Sequence, residues 1–141
     1  MIEMEKPAAP LNNKVRLPMG ILGFEQIKEY VLLANPEEEP FAWLQVEANA
    51  SLAFIVIDPF LVMPEYQPDI PQSDVDFLGL DDPRDARLLN IVTIHSPNQA
   101  TVNLKSPIVI NRRTHIGKQV ILANASDFSV QHPLPVAENA Q

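Results

Sequence analysis

The stretch that decides the fold is RLLNIVTIHSPNQATVNLKSPIVINRRTHIGKQVIL, Arg87–Leu122. Short apolar runs alternate there with turn chemistry. RLLNIVTIH, Arg87–His95, is dense in Leu, Ile and Val and reads as a strong strand. SPNQ turns the chain. Ala100–Leu104 and Pro107–Asn111 read as two strands or one bent strand, and Gly117 permits a turn before a further strand over Lys118–Ala123.

The same pattern runs upstream. Val15–Leu17 is a brief strand stopped by Pro18. In PMGILGFE, Gly20 and Gly23 allow positive φ, while Ile21, Leu22 and Phe24 anchor the turn to a core. Tyr30–Leu33 follows, closed by ANPEEEP; then Phe41–Val46, the hairpin loop EANAS, and Leu52–Ile57. Alternation along PFAWLQ assigns Trp43 to the core. LAFIVI is apolar at every position, which predicts a strand buried on both faces.

Asp58–Pro71 holds four prolines, so it reads as an irregular crossing and not a central strand. PQSDVDFLGL predicts one short helix, with Ser73 and Asp76 as a weak capping box, Val75 and Leu78 facing inward, and Gly79 as its stop. DDPRDA is a second turn, and Phe128–Val130 closes the pattern. The predicted fold is all-β in the main: a small, partly open barrel or sandwich with one or two short helices. Residues 14–134 form one domain, between flexible tails over 1–13 and 135–141, where Pro and polar residues offer no core.

A chain of 141 residues with 46% apolar and 20% charged residues can bury a core without staples. It has no cysteine, which excludes disulfides and thiolate metal sites. MIEMEKPAAP does not read as a signal peptide, and the longest apolar run, Leu52–Ile57, is far below the ~20 residues that span a bilayer. The expectation is a cytoplasmic protein with no membrane partner.

The formal net charge is −8, and it is unevenly spread. From Glu37 to Asp85 there are twelve acidic residues and one basic residue, Arg84; from Ala86 to Ser126 there are five basic residues and no acidic one. Acidic residues sharing a face would produce a negative field that attracts cationic partners and repels nucleic acid.

Catalytic chemistry is missing. His95, His115 and His132 lie 20 and 17 residues apart, without metal-ligand spacing. There is no GxSxG, P-loop or GxGxxG motif, and GILG lacks the setting of an RNA-clamping GXXG loop. Asp81 and Asp82, before Pro83, read as caps for backbone N–H groups. The reading is a binding module: no enzyme, no cofactor and no metal. One alternative is direct RNA binding through Lys105, Arg112, Arg113 and Lys118. No aromatic residue lies between Phe77 and Phe128, so that half offers no stacking platform.

Several ordered stretches resemble one family, the flagellar assembly factor FliW. PMGILGFE (Pro18–Glu25) looks like its Phe-Pro-x-Gly-Ile-x-Gly-Phe-Glu opening, with Leu17 in place of the phenylalanine. PFAWLQ (Pro40–Gln45), LAFIVIDPF (Leu52–Phe60), PEYQPDI (Pro64–Ile70), NIVTI (Asn90–Ile94), TVNLKSPIVIN (Thr101–Asn111) and GKQVIL (Gly117–Leu122) follow in family order. The resemblance covers about residues 14–134. Family members usually begin with an extra strand; here that region is the short, Pro-rich MIEMEKPAAPLNN.

The resemblance implies a β-barrel-like protein without catalytic activity. It implies binding of flagellin and of the RNA-binding translational regulator CsrA, antagonism of CsrA without occupying its RNA site, and release when free flagellin competes. On that basis Glu37, Glu38, Glu39, Asp58, Glu65, Asp69, Asp81 and Asp82 are the expected source of a field and of contacts. Phe60 and Tyr66 are the aromatic contact candidates; core packing is the competing role for both and is the preferred one for Phe60. Arg112, Arg113 and Lys118 then read as turn charges holding acidic residues of the other half. A monomer is expected.

Overall fold

The computed structural model describes residues 13–134; almost all of the two expected tails, residues 1–12 and 135–141, lies outside the described residues. Among the described residues the order is β1 (Lys14–Arg16), β2 (Glu29–Ala34), β3 (Phe41–Val46), β4 (Ala53–Ile57), α1 (Pro59–Val62), α2 (Gln72–Leu78), β5 (Ala86–Ser96), β6 (Gln99–Val102), β7 (Ile108–Asn111), β8 (Gly117–Gln119) and β9 (His132–Leu134). The expected class, mainly β with one or two short helices, is the class that forms, with two.

Strands β1 to β5 pair in chain order, each antiparallel to the next. β5 is 11 residues long and serves two partners. Its first part, Ala86–Leu89, pairs with β7, and its second, from Val92, pairs with β6. β7 pairs with β8, and Ile116 bridges back to Arg16 on β1. The Arg16 N–H donates to the His115 carbonyl at 3.0 Å across that seam. The circuit β1-β2-β3-β4-β5-β7-β8 thus closes through one bridge, a partly open barrel. β6 and β9 extend the sheet outside it.

Strand alternation explains where the cores sit. One face of the circuit gives the barrel interior, packed with Val15, Leu17, Tyr30, Leu32, Leu44, Val46, Val56, Leu89, Ile108 and Ile110. The other face carries a second core of Ile57, Val92, Val102, Leu104, Val109, Val120 and Leu122, covered by Tyr66 and Leu78. The apolar run LAFIVI is now accounted for. Phe54 and Val56 face the barrel, and Ile55 and Ile57 face the second core. Each fully buried aliphatic side chain contributes about 1.5–3 kcal/mol.

Some expectations need correction. Trp43 is not in a core: Leu44 and Val46 point into the barrel, so Phe41 and Trp43 face the other way, where cover is partial. Ser73 does not cap α2. Pro71 takes the N-cap position with no side-chain bond, so the helix starts earlier and Ser73 falls inside its first turn. Gly79 ends the helix as expected, at φ 67°. Gly117 lies in β8 and is not the turn residue; the left-handed position is His115, at φ 63°. A Cβ on Gly117 would meet Ile110 Cγ1 and the Val109 carbonyl oxygen, both at 2.9 Å, so glycine is there for close packing. The crossing from Asp58 contains a single helical turn, and the closing strand is β9, not Phe128–Val130.

Candidate functional site

The basic island, Arg112 to Lys118, is a clamp. Asn111 is buried and donates its side-chain N–H to the Leu78 carbonyl at 2.8 Å, at the end of α2. Its side-chain oxygen accepts from the Arg113 N–H at 2.8 Å and shapes the turn. Arg113 donates from Nη2 to the Gly79 carbonyl and from Nε to Asp85, both at 3.2 Å, with Asp81 at 3.6 Å. Arg112 donates from Nε to the Arg84 carbonyl at 3.2 Å. Lys118 is paired with Asp74, a carboxylate only 7% exposed, and stands 5.5 Å over the Phe77 ring. Cations placed at a helix C-terminus also complement its exposed carbonyls. Arg113 and Lys118 therefore hold acidic residues of the other half, as expected.

The ten expected partner residues fall into three groups. Asp81 and Asp82 belong with the clamp. Asp82 caps the turn at Pro83–Asp85 and pairs with Arg84 at 2.7 Å; that guanidinium, with the Arg84 N–H, holds its carboxyl below the usual range. Asp58, Phe60, Glu65, Tyr66 and Asp69 lie on the crossing. Asp58 caps α1 by accepting from the Phe60 N–H at 2.9 Å. Glu65 and Asp69 are exposed. The two aromatics exchange their expected roles. Phe60 is 42% exposed, whereas Tyr66 is buried and packs 4.9 Å from the Phe128 ring centre. The Tyr66 hydroxyl donates to the Leu104 carbonyl at 2.6 Å, so Tyr66 is withdrawn as a surface anchor. Burial pushes its phenol up from the ordinary value.

Glu37, Glu38 and Glu39 form the third group. They occupy the turn between β2 and β3 and rim an open groove of about 350 Å³. The floor is Phe41, Trp43, Ile55 and Ile94. Register brings these together: Trp43 lies opposite Ile55 across β3–β4, and Ile55 opposite Val92 across β4–β5, two residues from Ile94. Ile94 is 52% exposed. This is the same sheet face that covers the second core, left bare at its far end. The Trp43 indole N–H donates to Glu38 at 2.8 Å, which fixes the ring at the rim. Among the described residues no Lys, Arg or His pairs with the three glutamates. Sequence reasoning found the rim and missed the floor. The signal was present: Phe41, Trp43, Ile55 and Ile94 sit on the alternate positions to the barrel-facing residues.

No group of three metal-ligating side chains clusters among the described residues. Nor is any described helix long and apolar enough to cross a membrane.

Three comparisons place this geometry. The FliW protein family model matches residues 3–134. Flagellar assembly factor FliW of Syntrophus aciditrophicus is 42% identical over 116 residues, covering 82% of this chain and 73% of that one. The Clostridioides difficile protein of the same name is 39% identical over 122 residues, covering 86% and 93%. A crystal structure of the flagellar assembly factor FliW superposes with a TM-score of 0.80 at 34% identity, over 93% of this chain and 91% of that one. With the partly open barrel and its motifs in family order, these matches establish that the chain belongs to the FliW family of flagellar assembly factors.

Proposed function

We propose that this protein binds flagellin and the translational regulator CsrA in the cytoplasm as a monomer, and that it relieves CsrA repression while flagellin is scarce. The observation that carries the reading is the acid-rimmed groove. It joins exposed apolar surface to three carboxylates without a cationic partner among the described residues. An RNA-binding regulator is basic where it grips phosphate, so such a rim held beside that site, without occupying it, repels RNA. Two unit charges ~10 Å apart at an effective dielectric of ~20 interact by roughly 1.7 kcal/mol before screening. Asp58, Phe60, Glu65 and Asp69 on the crossing would add to the same field and contacts.

Direct RNA binding through Arg112, Arg113 and Lys118 is disfavoured. Two of those three cations are engaged with Asp74, Asp81 and Asp85.

The test is a gel shift of CsrA on flagellin leader RNA with this protein added. Release of RNA is expected, weakened about tenfold in Glu37→Gln/Glu38→Gln/Glu39→Gln at low salt and converging with the native chain as salt rises. Equal potency of the two proteins at low salt would remove the groove from the account. A shift of RNA by this protein alone would restore the RNA-binding reading.

A further inference from the structure

At one end of the barrel the inner face runs out among cations. Arg87 precedes Leu89 by two residues on β5 and so shares its interior-facing side, opposite Ile110 of β7. Arg112 follows Ile110 by two. With His115 and Asn13 these arginines line a cavity of about 240 Å³, whose apolar wall is Val15, Leu32 and Ile110. His115 holds a left-handed backbone, unusual for a residue with a side chain. Its N–H donates to the Asn111 carbonyl at 2.8 Å, and its own carbonyl accepts from Arg16, so both sides of the strained residue are fixed.

Among the described residues neither Arg87 nor Arg112 pairs with a carboxylate. Among the described residues the one side-chain bond of Arg112 is to the Arg84 carbonyl, which anchors its planar fork. Burial, and then the Arg112 charge, lower the Arg87 guanidinium from its ordinary value; Asp58 opposes this only in part. Both residues are exposed at this mouth, so water reaches them, but two like charges beside an apolar wall repel one another, and an anion between them relieves that repulsion.

We propose that this barrel mouth binds a carboxylate carried on an apolar stem, gripped by Arg87 and Arg112, with the stem against Val15, Leu32 and Ile110. The guanidinium fork matches a carboxylate in two parallel hydrogen bonds. The apolar wall selects the stem and gives a bare inorganic anion nothing to bury. The net charge of −8 further disfavours a polyanion. A peptide C-terminal residue and a short fatty acid both present this chemistry. The site is separate from the acid-rimmed groove and does not depend on it.

The experiment is an NMR titration of the full chain with N-acetyl-leucine, hexanoate, N-acetyl-leucinamide and inorganic phosphate. Saturable shifts at Val15, Leu32 and Ile110 are expected with the two acids, the tighter one naming the source. They should weaken at least about tenfold in Arg87→Met and in Arg112→Gln, while Arg84→Gln, outside the cavity, matches the native chain. Arg112→Lys, which keeps charge without the fork, should fall between. The amide and phosphate should not saturate. Absence of saturable binding by either acid, equal binding of the amide or of phosphate, or native affinity in folded Arg87→Met would each overturn the proposal.

Discussion

Two charged stretches, Glu37–Glu39 and Arg112–Lys118, have opposite fates in this molecule. The basic stretch turns inward. Two of its cations, Arg113 and Lys118, tie β7 and β8 to α2 and to the turn after it, through Asp74, Asp81, Asp85 and the Gly79 carbonyl, while Arg112 is left at the barrel mouth. The acidic stretch turns outward. The one hydrogen bond to its carboxylates among the described residues is from Trp43, and beside it an apolar floor stays open. Charge density does not separate a structural cluster from an interaction surface. Whether the opposite charge comes from within the fold does.

The largest effect expected from breaking this contrast is on stability. Lys118→Ala leaves the Asp74 carboxylate buried without its cation, and urea unfolding should show a loss of about 3 kcal/mol. Asp74→Leu with Lys118→Met should recover most of it, because an apolar pair replaces the ion pair. A loss under about 0.5 kcal/mol for Lys118→Ala would put that lysine among ordinary surface charges.

Next in size is Trp43→Ala, which acts on the other stretch. Calorimetric titration should show partner affinity falling about 30-fold, some 2 kcal/mol, while unfolding stays cooperative. Unchanged affinity would move the contact surface away from the groove.

Smaller still is Tyr66→Phe, which tests the withdrawal of Tyr66 from the surface. Losing the bond to the Leu104 carbonyl should cost about 1 kcal/mol of stability and leave partner affinity unchanged. The same residue sets a pH dependence. Burial raises the phenols of Tyr30 and Tyr66 in the folded state. Both are neutral, folded or unfolded, at pH well below the ordinary phenol value of 10.0, and stability is full there. Above it the unfolded chain ionises first, and stability falls as pH climbs toward the folded values, by up to about 1.4 kcal/mol per unit per group. Tyr66→Phe should flatten that fall.

Much of the fold was legible because strand and turn chemistry is local. Phe41–Val46 was read with the boundaries it has, and Gly20, Gly23 and Gly79 do take positive φ. LAFIVI announced two buried faces. Other features depend on contacts distant in sequence. Trp43 was assigned to the wrong face because alternation fixes which residues share a side, while the side that gets covered depends on α2 and the crossing. The burial of Tyr66 is not legible in sequence, because nothing in PEYQPDI shows that its ring meets Phe128 and its hydroxyl Leu104, 38 residues on. The rim of the groove was readable as a run of glutamates. The floor needed the register of β3, β4 and β5.

The chain has one tryptophan, so the indole N–H of Trp43, bonded to Glu38, gives a single resolved NMR signal at the rim of the groove. Titration with CsrA should shift or broaden that signal in proportion to complex formed, while the backbone signals of Arg113 and Lys118 stay in place. Movement of the Arg113 and Lys118 signals with the Trp43 signal unchanged would contradict the assignment of the acidic groove to the partner and of Arg113 and Lys118 to the fold.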